Sequence, residues 1–228
     1  YLDDFESTQS GMDLLNPYAW NLASTPYEDS NPKFPEAEKV NDIAYGKNRA
    51  LLAWYTVDGI FTRKSSSSRP RHLTNDDLSN HYTRGVSYKE LFPNKELGTN
   101  DNTTLPVLNL AFYPNERGPY NLDAENVNSD GTLGNPEKRW GGVMRKIEPS
   151  DLESANYEYI EFWLLDPYLE DETAEGGDLY FNLGEISEDI LKDERKFFEN
   201  GMPVDGDMSK VDTTVWGKVP RTQSTGYA

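Results

Sequence analysis

The sequence predicts an all-β chain of short strands and long loops, on three observations. Turn formers are abundant: 19 Asn, 20 Asp, 17 Gly and 14 Pro make up 70 of 228 residues. These residues supply positive φ, fixed φ or side-chain caps at chain reversals. The 28 aromatics (5 Trp, 14 Tyr, 9 Phe) sit among aliphatic neighbours, so the chain has core-forming material and is not low-complexity disorder. Runs of β-branched, aromatic and aliphatic residues end at Gly, Pro or Asp-Gly, whereas helical periodicity is scarce.

Taken in order, a strand-like run opens the chain at residues 1–5. Residues 51–57 form a second strand, closed by Asp58-Gly59, a dipeptide suited to a tight turn. Residues 105–113 form a third, stopped by Pro114, which has no N–H for a ladder. Residues 140–147 alternate and halt before Pro149; residues 157–165 end at Asp166-Pro167; residues 178–183 follow Gly176-Gly177. In the fifth run Ile160, Phe162 and Leu164 share one face, with Tyr159, Trp163 and Leu165 on the other. Apolar residues on both faces mark a central strand covered on both sides. The expected interior is Phe5, Leu52, Trp54, Leu108, Leu110, Ile160, Phe162, Leu164 and Phe181. On that reading Ile160→Ala costs about 2–5 kcal/mol.

Two helices are expected. Ser87 with Glu90 three residues on has capping-box spacing, and Pro93 ends that helix after about one turn. Residues 187–198 place acids early and bases late, which suits a helix dipole, and Gly201 fits its end. Residues 16–42, 63–77 and 115–138 read as long surface loops, and residues from about 203 to 228 as a loosely attached tail. The simplest organisation is one β-sandwich domain over 1–228, with both ends reading as cut from a larger chain.

Chemistry is sparse. Lys plus Arg number 22 against 40 Asp plus Glu, a net charge of −18. That argues against nucleic acid or an anionic lipid surface as partner, since both need a basic patch. No run approaches the roughly 18 apolar residues of a spanning helix. Cysteine is absent, which excludes disulfides, thiol catalysis and Cys-based zinc sites. His72 and His81 are the two histidines, and no nucleophile elbow, zinc-protease motif or phosphate-cradling glycine loop accompanies them. A two-carboxylate glycosidase is compatible with so many acids but no pair stands out. Asp3, Asp4 and Glu6 suit either turn capping or calcium, so the metal assignment stays open. Arg63, Lys64, Arg69 and Arg71 flank a four-serine run in a small basic island, either a solvated loop or a dock for an acidic neighbour. Trp20, Trp140 and Trp216 lie near turns and are candidates for stacking on a sugar, while Trp54 and Trp163 read as core.

From Trp140 onward the order of blocks is specific: Trp140-Gly141-Gly142-Val143-Met144-Arg145, then Asp151-Leu152-Glu153, then Tyr157 to Asp166, then Gly176-Gly177-Asp178-Leu179-Tyr180-Phe181-Asn182-Leu183-Gly184. With Asp3-Asp4-Phe5-Glu6 these resemble the jelly-roll sandwich of galactose-binding and other carbohydrate-binding modules. A closer resemblance, over nearly the whole chain, is to the SprA/Sov family, the giant outer-membrane translocons of the Bacteroidota type IX secretion system. It rests on Tyr1-Leu2-Asp3-Asp4-Phe5-Glu6, Leu78-Ser79-Asn80-His81-Tyr82, Tyr113-Pro114-Asn115-Glu116-Arg117-Gly118-Pro119-Tyr120-Asn121, Tyr159-Ile160-Glu161-Phe162-Trp163, residues 177–191 and Thr214-Val215-Trp216-Gly217-Lys218-Val219-Pro220. The chain covers about a tenth of such a translocon, and the alternating strands of its barrel are not evident here.

The resemblance implies a structural and interaction domain, not an enzyme, in a machine for protein export and gliding motility. Its parent would lie in the cell outer membrane, with this piece on the extracellular or periplasmic side. Other secretion components and exported cargo would be its partners, and no cofactor is expected. A carbohydrate-binding module of a cell-surface protein is the alternative.

Overall fold

The computed structural model describes residues 12–27, 33–62, 67, 69–99, 101–148, 151–154, 157–169, 171, 173–192, 207–214 and 217–221. Regular structure among them comprises the strands β1 (Asn21–Leu22), β2 (Ala50–Tyr55), β3 (Asn109–Arg117), β4 (Val143–Met144), β5 (Val211–Thr214) and β6 (Gly217–Pro220), with one helical turn, α1 (Tyr88–Leu91). Short 3-10 turns punctuate the rest. The strands pair as β1–β4, β2–β3 and β5–β6, each a two-stranded sheet. A mostly non-helical chain with small antiparallel sheets is thus what the turn-rich composition produces.

Local signals explain the elements that form. The run 50–55 is β2, beginning one residue before the expected start and ending two short of the expected end. Gly118 N–H bonds to Arg49 O at one end of the β2–β3 pair, and Asn109 Nδ2 bonds to Tyr55 O at the other, so the strands run antiparallel. A Cβ on Gly118 would overlap the Ala50 carbonyl, which accounts for glycine there. β3 runs through Pro114 to Arg117, contrary to the expected stop. In a two-stranded sheet every strand has an open edge, and a proline facing it removes no ladder bond. Ser87 caps α1 by accepting from Lys89 N–H, as its spacing suggests.

The chain divides into two compact units. Unit 2 comprises Trp20–Ala53, Leu110–Arg145 and Asn182–Ala228. Its core joins Ala37, Tyr45, Ala50, Leu133, Trp140, Ile190, Leu191 and Val211 to an unusual share of buried polar groups. Arg49 is 0% exposed. Its guanidinium donates to Pro119 O and Ala23 O at 3.2 Å each and stacks 5.0 Å from the Trp140 ring centre. Asn121 Nδ2 donates to Arg49 O at 2.6 Å. Arg139 pairs with Asp123 at 3.1 Å and also donates to Lys47 O and Gly134 O. Trp140 Nε1 donates to buried Glu36. Residues 115–138, expected as a surface loop, therefore hold part of the interior: Asn121, Asp123 and Leu133 are all buried. The β5–β6 hairpin forms inside the region read as a tail.

Unit 1 comprises Tyr1–Ala19, Trp54–Asn109 and Lys146–Phe181. Among its described residues Leu78 is the one fully buried side chain. Here the sequence expectations fail. Residues 157–165 form no strand, and neither do 178–183. Ile160 is 44% exposed and Leu164 69%; Phe162 and Phe181 are exposed too, while Trp54 and Leu108 are half-buried, and in unit 2 Leu110 is exposed and Leu52 half-buried. The residue pattern of a central strand is present, but a strand exists only when neighbours supply ladder and cover. Phe5 and the opening strand lie outside the described residues. The helix expected over 187–198 is absent through residue 192, since Lys192 adopts φ 49°, which breaks a right-handed helix; residues 193–198 lie outside the described residues. In place of the earlier figure, Ile160→Ala in this chain is expected to shift stability by less than about 0.5 kcal/mol, the usual range at an exposed position, measured by urea unfolding.

Candidate interaction surface

The residues singled out in the sequence scatter. Trp140 is buried, edge-on to Phe34 at 6.0 Å, so it offers no face to a sugar. Trp20 is half-buried, with the Arg145 guanidinium 5.7 Å from its ring centre. Trp54 donates from Nε1 to Pro17 O. Trp216, Asp3, Asp4, Glu6, Arg63 and Lys64 lie outside the described residues. Arg69 bonds Asn75 from the exposed remainder of the basic island, and Arg71 is exposed. His72 is exposed, and His81 is half-buried with Nε2 2.6 Å from Asp166 O. The Asp77 carboxylate is near enough to His72 to feel its charge, but it is held by the Thr74 backbone N–H and hydroxyl instead of by the imidazole. Glu161 and Asp178 are exposed. Among the described residues no three His, Cys, Asp or Glu gather as a metal site, and no helix is long and apolar enough to cross a membrane.

What unit 1 does assemble is a surface. From Tyr157 to Asp166 the chain runs without helix, turn or bend, which leaves it extended. Its far end is tied down: Tyr82 Oη donates to Pro167 O at 2.9 Å, beside the His81 contact. Trp163, expected in the core, is 60% exposed and meets Phe92 edge-on at 6.4 Å. Phe162 packs against Phe181 with ring centres 5.3 Å apart. Tyr159, Ile160, Leu164 and Leu165 on the first of these segments, and Leu179 and Tyr180 beside Phe181, are exposed as well. Scattered exposed apolar residues are ordinary, but a contiguous set marks a surface that another molecule covers.

The stretch of sequence that carries this segment is one-signed, although Lys95 reaches over the Phe92 ring that Trp163 meets. Residues 147–191 contain 14 Asp or Glu and no Lys, Arg or His. The other 183 residues hold the remaining 26 acids and all 22 bases, so most of the net charge comes from this stretch. Weighing the acids as possible catalytic pairs missed this segment; scanning for base-free windows finds it.

The neighbouring block is held by turn caps and one good ion pair. Arg84 grips Glu90 with two hydrogen bonds of 2.9 and 2.6 Å. The Arg84 hydrogen bonds hold the Glu90 carboxyl below its ordinary value, and Glu90 holds the guanidinium above its own. Both side chains are partly exposed, so the pair orients α1 more than it stabilises the unit. An open groove of about 420 Å³ lies against this block, lined by Tyr55, Thr56, Val57, Asp58, Phe61, Leu73, Asp77, Leu78 and Thr83. The Thr74 backbone N–H and hydroxyl bind the Asp77 carboxylate at its rim and lower its pKa. That carboxylate is a turn cap already satisfied, not a poised acid.

No protein-family model and no curated protein matches this chain.

Proposed function

We propose that this chain is a structural and interaction part of an outer-membrane protein-export channel of the type IX secretion kind, working in export and gliding motility. The observation that carries this reading is the exposed aromatic area of unit 1, built on an extended segment with a one-signed flank. A contact surface has those properties. The ordered blocks of resemblance, among them Leu78 to Tyr82 and Tyr159 to Trp163, support the particular assembly. In this reading the chain contributes to a jelly-roll sandwich whose missing strands come from elsewhere in the assembly, and its partners are other secretion components and exported cargo. The domain acts without catalysis or cofactor. A sugar-binding role has less support, because Trp140 is buried and Trp20 lies against Arg145.

The test is made in a bacterium whose translocon carries this chain. Deleting it is expected to abolish cargo export while the rest of the channel still reaches the outer membrane. Replacing His72, His81, Glu161 or Asp178 singly is expected to leave export near its starting level, read as cargo in the medium. Loss of export from one such change, with the protein folded and partners bound, would show that chemistry resides here and defeat the scaffold reading.

A further inference from the structure

We infer that residues 158–165 are an acceptor edge for strand addition, and that the strand added is an extended segment of a partner protein alternating apolar residues with Lys or Arg. The backbone N–H and C=O groups of residues 158–165 make no hydrogen bond within the described structure, although the segment is extended and anchored just beyond its end at Asp166 and Pro167. Eight residues at about 3.3 Å each give an edge of about 26 Å, the length of an ordinary strand. Free donors and acceptors spaced along an extended chain select another extended chain; a helix has satisfied its own backbone and would leave them unpaired.

Side chains then fix what kind of strand. By the alternation of an extended chain Ile160 and Leu164 fall on one face and Tyr159 and Leu165 on the other, and all four are exposed, so an incoming strand gains apolar contact on whichever face it shares. Glu158 and Glu161 lie on the edge itself, within the stretch of 45 residues that has 14 acids and no base. An acidic or neutral strand would meet uncompensated like charge or gain nothing from it, whereas Lys or Arg between the apolar positions is attracted to Glu158 and Glu161. A second copy of this chain is disfavoured on the same ground, since it would place one base-free segment against another. This inference concerns the kind of partner bound and does not need the export reading.

The test uses the whole 228-residue chain and a fluorescent eleven-residue peptide of alternating valine and lysine, followed by anisotropy. Binding is expected, weakening with salt because exposed charges are screened. The same peptide N-methylated at alternate residues keeps charge and apolar side chains but cannot complete a ladder, and is expected not to bind. Glu158→Lys with Glu161→Lys should weaken binding about tenfold or more. Ile160→Pro should do likewise while leaving the melting temperature unchanged, because the N–H it removes holds nothing in the fold. Equal binding of the methylated peptide would reduce the effect to charge alone and overturn strand addition. Absence of binding by the lysine peptide, equal binding of a valine–glutamate peptide, or a concentration-dependent dimer abolished by Ile160→Pro would each overturn the proposed partner.

Discussion

Arg49→Ala is expected to destabilise unit 2 by about 3–5 kcal/mol, read as the midpoint of urea unfolding. The side chain is inaccessible to water and holds together segments far apart in sequence, through Pro119 O, Ala23 O and the Trp140 ring. Alanine removes a fully buried side chain, leaving a cavity beside an indole and taking the guanidinium donors from the Pro119 and Ala23 carbonyls. The cavity and the lost stacking contact carry most of the cost, because both carbonyls belong to residues that are only partly buried or exposed and water can replace part of what they lose. Arg49→Lys should recover part of the loss, since one ammonium cannot serve both carbonyls in the guanidinium geometry. Equal stability of the alanine variant and the parent would mean that this core does not depend on its arginine.

Removing Arg139 as Arg139→Leu should cost a similar amount, about 3–5 kcal/mol, by stranding the buried Asp123 carboxylate. The same carboxylate makes stability fall in acid. Burial alone would raise its pKa; hydrogen bonds from the Asn126 side chain, the Glu125 and Asn126 backbone N–H groups and Arg139 outweigh that and hold it below the ordinary 3.8. A pKa lower in the folded than in the unfolded chain means that the contribution is fully present above 3.8. It is lost as pH falls from there through the folded value. Asp123→Asn should therefore lower stability at pH 7 and flatten the decline below about pH 4, followed by urea midpoints from pH 7 to pH 2. An unchanged acid limb would place the pH dependence elsewhere.

Where local chemistry decides structure, the sequence was readable. The run at residues 50–55 and the Ser87 cap announce themselves within a few residues. The polar core did not, because burial of Arg49 or Glu36 is decided by partners such as Pro119 and Trp140, 70 and 104 residues away. One signal was available: Asn121, Asp123 and Asn126 have the spacing of successive side-chain-capped turns, and such a turn fixes a loop well enough to bury it. The run at 157–165 misled for the opposite reason. Ile160, Phe162 and Leu164 state what the segment prefers, and a preference for being a central strand is not a supply of neighbours. Of the surface, the aromatic residues were in view from the start, but their exposure was not.

Each unit is stitched from three separated stretches, and the chain passes back and forth between them. That weave has a kinetic consequence. Unit 1 cannot close until residues beyond Lys146 are made, and unit 2 waits for those beyond Asn182. At about 5–20 residues per second, the ribosome leaves the first stretches without their mates for on the order of 10 s. Loop closure over such separations is slow, so both units should gain structure late and nearly together after synthesis. Through that interval the aromatic segments are uncovered, which makes the nascent chain a natural client for a holding chaperone.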